Sequence, residues 1–234
     1  MPSDTRFQRL TGIASDSVGR LYAIDGMAGE VRRYSQGFVL DPTWNFQSRR
    51  PNGKPMLHWA DGIVIHEKTN TLFVASERDG MIRAYDCKTG HWLGKTIGRR
   101  SDPVSARPIG ESVFSRSVEG LAILGDLLLA VDEGNDEARR LLPGRLMVFR
   151  LGDAVLYQTD AESCRARMAV GKAAGLIGWF GDFRSPDGVA IFAGSPGRPE
   201  PLLAVADQGR YRIVVYRGND LIRAIRFTSA KESQ

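Results

Sequence analysis

Short apolar runs punctuated by turn-forming residues recur along the whole chain, and they come in ordered triplets. The first member of each triplet opens on an acid or Thr followed by Gly: Thr11-Gly12-Ile13-Ala14, Asp61-Gly62-Ile63-Val64, Glu119-Gly120-Leu121-Ala122 and Asp187-Gly188-Val189-Ala190. The second members run from Leu21 to Asp25, Leu72 to Ser76, Leu128 to Asp132 and Leu203 to Asp207. The third end on an aromatic residue: Tyr34, Tyr85, Phe149 and Tyr216. In three of the four triplets that aromatic lies nine residues beyond the end of the second run, and only the copy holding Glu137 to Gly144 is longer. A spacing that survives differences in loop sequence marks a structural register.

Short strands in a unit repeated every ~40–50 residues form an antiparallel blade, which buries its faces only by stacking on neighbouring blades. The pattern therefore predicts an all-β chain, a β-propeller of four-stranded antiparallel blades forming one domain over residues 1–234. Four blades are legible, at about 6–46, 58–98, 117–160 and 183–228. The stretch Ala161 to Asp182 lacks the full triplet and reads mainly as a long inter-blade loop, leaving open a fifth blade or an incomplete six-bladed ring. An incomplete ring exposes strand edges and tends to associate, so oligomers are a further expectation.

Charge and composition narrow the chemistry. Lys and Arg number 32 against 27 Asp and Glu, a net +5. The basic residues gather in connections: Arg49, Arg50 and Lys54; Arg99, Arg100, Arg107 and Arg116; Arg139 and Arg140; Arg165, Arg167 and Lys172. Such clusters attract anionic small molecules or nucleic acid, RNA rather than duplex DNA because no recognition helix is evident, although solvated loops are commonly charged in any case. The two cysteines, Cys87 and Cys164, give no disulfide framework or metal spacing. Residues 1–10 are polar and no run approaches a membrane span, so no membrane association is expected. Localisation stays open between a cytoplasmic protein and an exported one whose leader has been removed. His58, His66 and His91 are not at zinc-ligand spacing, and His66 and His91 read as surface residues. No nucleophile elbow or phosphate-binding loop is present. Trp44, Trp59, Trp92 and Trp179 read as packing between blades.

Two segments carry family resemblances. Gly178-Trp179-Phe180-Gly181-Asp182-Phe183-Arg184-Ser185-Pro186-Asp187-Gly188-Val189-Ala190, with Val205-Ala206-Asp207-Gln208-Gly209-Arg210-Tyr211-Arg212-Ile213-Val214-Val215-Tyr216, resembles an NHL repeat. Val118-Glu119-Gly120-Leu121-Ala122-Ile123 leading to Asp132-Glu133, followed by Ser185-Pro186-Asp187-Gly188 and Ala206-Asp207, is similar to consecutive blades of β-propeller phytases. That resemblance implies carboxylates holding calcium at one mouth of the channel. The chain departs from the phytase pattern in carrying a single Asp61 and in placing Asp187 where a Glu is usual.

Equivalent strand ends converge on the propeller axis, so acids at matching repeat positions become neighbours. Carboxylates crowded into one cavity repel unless a cation neutralises them, and hard divalent cations prefer oxygen. The candidate metal ligands are Asp61, Glu119, Glu133 and Asp187, with calcium or magnesium as the ion this chemistry favours and calcium as the one the phytase resemblance implies, and Arg78, Arg116 and Arg184 as anion clamps. This points to a metal-dependent hydrolase of phosphorylated or lactone small molecules. The alternatives are turn-stabilising acids with no metal and an NHL-type recognition module binding a protein, glycan or RNA partner.

Overall fold

The predicted triplets form the first three strands of four antiparallel sheets in the computed structural model, which describes residues 6–102, 104–109, 112–114, 117–134, 143–151, 175–192, 194 and 200–217. Sheet 1 comprises β1 (Leu10–Ser15), β2 (Leu21–Asp25) and β3 (Glu30–Tyr34). Sheet 2 comprises β4 (Ala60–His66), β5 (Thr71–Ser76), β6 (Met81–Asp86) and β7 (Trp92–Ile97). After a small hairpin of β8 (Arg100–Ser101) and β9 (Pro108–Ile109) comes sheet 3, with β10 (Val118–Leu124), β11 (Leu127–Asp132), β12 (Gly144–Arg150) and β13 (Gly175–Phe183). Sheet 4 holds β14 (Pro186–Phe192), β15 (Leu202–Asp207) and β16 (Arg212–Arg217). The innermost strands β1, β4, β10 and β14 pack successively on one another and line a channel of about 410 Å³ with Ile13, Ile63, Leu121 and Val189. The architecture is a β-propeller.

The constant spacing is explained by one cross-strand pair present in all four sheets. Leu21 faces Tyr34, Leu72 faces Tyr85, Leu128 faces Phe149 and Leu203 faces Tyr216. An aliphatic residue opposite an aromatic is a favourable pair that pins register, because a one-residue slip would send every side chain to the wrong face.

The middle strands are apolar on both faces, as stacking on two neighbours requires, and sheets 2 and 3 are flanked on both sides. Tyr22 and Ile24 pack on Leu72 and Val74; Phe73 and Ala75, pointing the other way, pack on Leu128 and Ala130; Leu129 and Val131 pack on Leu203 and Val205. Sheet 4 keeps the same two-faced pattern, yet its far side is open: Phe192 is 47% exposed, Ile213 71% and Val215 55%.

One sequence expectation is corrected. The stretch read as an inter-blade loop ends in β13, which pairs with β12 from Arg150↔Gly175 to Gly144↔Phe183 as the outermost strand of sheet 3. Its apolar run is interrupted by Gly178 and Gly181, and glycine weakens a strand signal. The rest of that stretch, 161–174, lies outside the described residues.

Candidate metal centre

In every sheet the ladder between the first and second strands slips at the acid–Gly or Thr–Gly pair. The shifts fall between Leu10 and Gly12, Ala60 and Ile63, Val118 and Leu121, and Pro186 and Val189. A bulge re-aims a side chain that regular pleating would send between sheets. Here it brings the carboxylates of Asp61, Glu119 and Asp187, one each from three successive blades, to within 4.8 Å of one another. The glycine is needed because the next blade's acid presses its carbonyl into that space. A Cβ on Gly12 would collide with the Asp61 carbonyl, one on Gly62 with that of Glu119, and one on Gly120 would lie 2.8 Å from that of Asp187. Around Gly188 the nearest atom is the Ala206 Cβ of its own sheet, at 3.8 Å.

Burial sets the electrostatics. Glu119 is only 8% exposed, and burial, the hydrogen bond it shares with Asp61 and the Asp61 charge push its carboxyl up to about 9. Burial, then the charges of Asp61 and Glu133, also raise Asp187 and Glu77. At neutral pH the cluster therefore holds a proton on Glu119. Ser117 Oγ lies 2.9 Å from Glu119 and 2.7 Å from Glu133, while Ser185 Oγ donates to the other Glu133 oxygen at 2.9 Å. A hydroxyl has one proton to give, so a protonated Glu119 leaves the Ser117 proton for Glu133.

Three oxygens mutually within 4.8 Å fit one coordination sphere, since calcium binds oxygen at roughly 2.3–2.6 Å and ligands on opposite sides of it stand about twice that apart. The donor set is all carboxylate, as a hard divalent cation prefers. Three protein ligands leave positions for water and substrate.

The structure brings three of the four predicted ligands together and sets Glu133 beside them, bonded to Ser117 and Ser185. Arg78 is at the same mouth, its guanidinium 4.2 Å from the Trp59 ring centroid. Arg184 is exposed on the turn into β14, where its N–H donates to Asp207 at 2.6 Å. Arg116 lies outside the described residues. The acids that end second strands divide by role. Asp25, Asp132 and Asp207 are fully buried and accept backbone N–H groups, Asp25 from Gln8 and Arg9, Asp132 from Gly134 and Asp207 from Arg184, whereas Glu77 and Glu133 sit one residue further along.

Sequence reasoning missed Arg9, which stacks on Trp59 at 5.2 Å, together with Ser117 and Ser185. All three, with Trp59, stand two residues before the Thr or acid of their repeat, so aligning that offset would have found them. Other readings are corrected. His66 is 3% exposed rather than on the surface, with Nδ1 2.8 Å from Thr69 Oγ1. Arg50 is buried rather than solvated, 3.6 Å from Asp79. Trp44 and Trp92 do pack between blades, but Trp59 carries cations on its ring.

No protein-family model matches the chain, and no curated protein matches it by sequence. Solved structures do match in fold. A chain of the nidogen/laminin complex aligns with a TM-score of 0.56 at 13% identity, covering 90% of this chain and 61% of that one. The periplasmic gluconolactonase of Pseudomonas aeruginosa aligns with a TM-score of 0.50 at 14% identity, covering 89% of this chain and 49% of that one. The chain thus spans about half to three fifths of the length of these neighbours. Among the described residues no helix is long and apolar enough to cross a membrane. At these identities the likeness establishes a shared β-propeller fold.

Proposed function

We propose that the acidic mouth binds a divalent cation, calcium first, and that the chain is a metal-dependent hydrolase of small lactones or phosphorylated molecules. The observation that carries this reading is the meeting of Asp61, Glu119 and Asp187, from three blades, within 4.8 Å. Bound there, the cation would polarise a carbonyl or phosphoryl oxygen and lower the pKa of a water. Asp61, Glu119 and Asp187 would hold it, Glu119 giving up its proton to do so. Glu133, fixed by Ser117 and Ser185, stands ready to accept a proton from an attacking water. Arg78, Arg184 and Arg116 are the anion clamps of this reading. The use of the same fold by a gluconolactonase supports placing lactones ahead of phosphoesters.

Calcium titration by calorimetry on chelator-stripped protein tests the proposal, with a Glu119→Gln, Asp187→Asn double variant as control. Binding that is lost in the variant supports it and justifies a lactonase and phosphatase screen. Absence of binding by the wild-type chain removes it. The second reading, a recognition module without catalysis for a protein, glycan or RNA partner, is favoured by the open apolar side of sheet 4 at Phe192, Ile213 and Val215.

A further inference from the structure

Beside the carboxylates, the mouth carries two guanidinium groups with no ion-pair partner among the described residues. Arg9 and Arg78 both lie over the Trp59 ring, at 5.2 and 4.2 Å from its centroid. The backbone that carries the ring is held in place: Glu77 N–H donates to the Trp59 carbonyl at 3.1 Å, Arg78 N–H to the His58 carbonyl at 3.2 Å, and His58 N–H to Ser76 Oγ at 2.9 Å. Trp59 has a φ of 59°, a left-handed conformation costly for a bulky residue, and Ser185 at the same repeat offset shares it with 53°. Two of the four blades thus present this position at the mouth through the same backbone turn. Next to it lies a cavity of about 370 Å³ lined by Met27, Leu57, His58, Trp59 and Arg78. His58 Nδ1 is bonded to Asp79 at 2.9 Å.

We infer that Arg9 and Arg78, braced on Trp59, form a clamp for the phosphate or carboxylate group of a small organic ligand, whose body occupies the adjoining cavity. A guanidinium fork matches an oxyanion, and an aromatic ring keeps it in place without neutralising it. The inference rests on the cation site proposed above in one respect. Asp61, Glu77, Glu119, Glu133 and Asp187 share this mouth with Arg9 and Arg78 among the described residues, and a bare cluster of acids repels an anion. Cation and anion binding are therefore coupled, each strengthening the other by the same factor.

The probe is glycerol 2-phosphate, titrated calorimetrically and by tryptophan fluorescence. Binding is expected to wild-type protein with calcium and to weaken strongly in chelator. Arg9→Gln and Arg78→Gln should each weaken it at least about fivefold while leaving calcium binding in place. The Glu119→Gln, Asp187→Asn variant, whose mouth carries less negative charge, should bind glycerol 2-phosphate without calcium and lose that binding when Arg78→Gln is added. This arm separates the two readings: no calcium binding by the wild type, with anion binding by the double variant, removes the metal proposal and upholds the clamp. Binding that is undiminished by both Arg substitutions, or absent from both the calcium-loaded wild type and the Glu119→Gln, Asp187→Asn variant, overturns it.

Discussion

A proton retained on Glu119 makes the stability of the metal-free chain fall as pH rises. In the unfolded chain this carboxyl has an ordinary value of 4.5, and in the folded mouth it is pushed up to about 9. Between those limits the unfolded state has released the proton and the folded state keeps it, so each step up in pH favours unfolding. One retained proton corresponds to about 1.4 kcal/mol per pH unit, or up to about 4 kcal/mol between pH 5 and 8. Asp187 and Glu77 are raised as well and add in the same direction. The depressed Asp41, held down to about 2 by Thr43 and Arg33, changes charge below this window and does not disturb it. Urea denaturation in chelator at pH 5, 6, 7 and 8 measures the slope, and Glu119→Gln is the control, because an amide has no proton to release. The wild type should lose stability across the series and the variant should lose much less. Parallel stability curves for the two proteins would refute the protonated-cluster account.

Other expectations follow from the packing. Asp79 is buried and receives His58, Ser76, Arg50 and Arg83, so Asp79→Ala should cost about 3–5 kcal/mol in denaturant unfolding by stranding the buried Arg83. Gly62→Ala, which drives a Cβ into the Glu119 carbonyl, should destabilise by about 1–3 kcal/mol, whereas Gly188→Ala, whose Cβ would make only an ordinary contact with Ala206, should stay within about 0.5 kcal/mol. Calcium should raise the melting temperature of the wild type and not that of the Glu119→Gln, Asp187→Asn variant, as read by scanning calorimetry.

The sequence pattern carried most of the fold because the repeat constrains it twice, through the Leu–aromatic pair within a sheet and the acid–Gly step between sheets. It carried three of the site's acids for the same reason: matching offsets become one place in space. What it hid were features without a repeat. Arg83 sits in a strand at an apolar position and is fully buried against Asp79, Ser101 and the Ala106 carbonyl, which no charge count distinguishes from a solvated Arg. The glycines of β13 masked a strand, and Thr11 at the acid position of the first blade gave no hint that Arg9, two residues earlier, brings a cation to an acidic mouth.

The open side of sheet 4 bears on how the chain breathes. In a stacked array each unit draws its stability from the interfaces it shares with neighbours. Sheet 2 has such an interface on both sides, while the described residues give sheet 4 one, built on Phe183, Leu203 and Val205. Sheet 1 is likewise flanked on one side, and the amides of these two end sheets should exchange with solvent ahead of those of β5 and β11. Asp187 belongs to that sheet. A cation gripped by Asp61, Glu119 and Asp187 would then act as a bolt across an end joint of the stack, so that occupancy of the mouth and docking of sheet 4 become a single equilibrium.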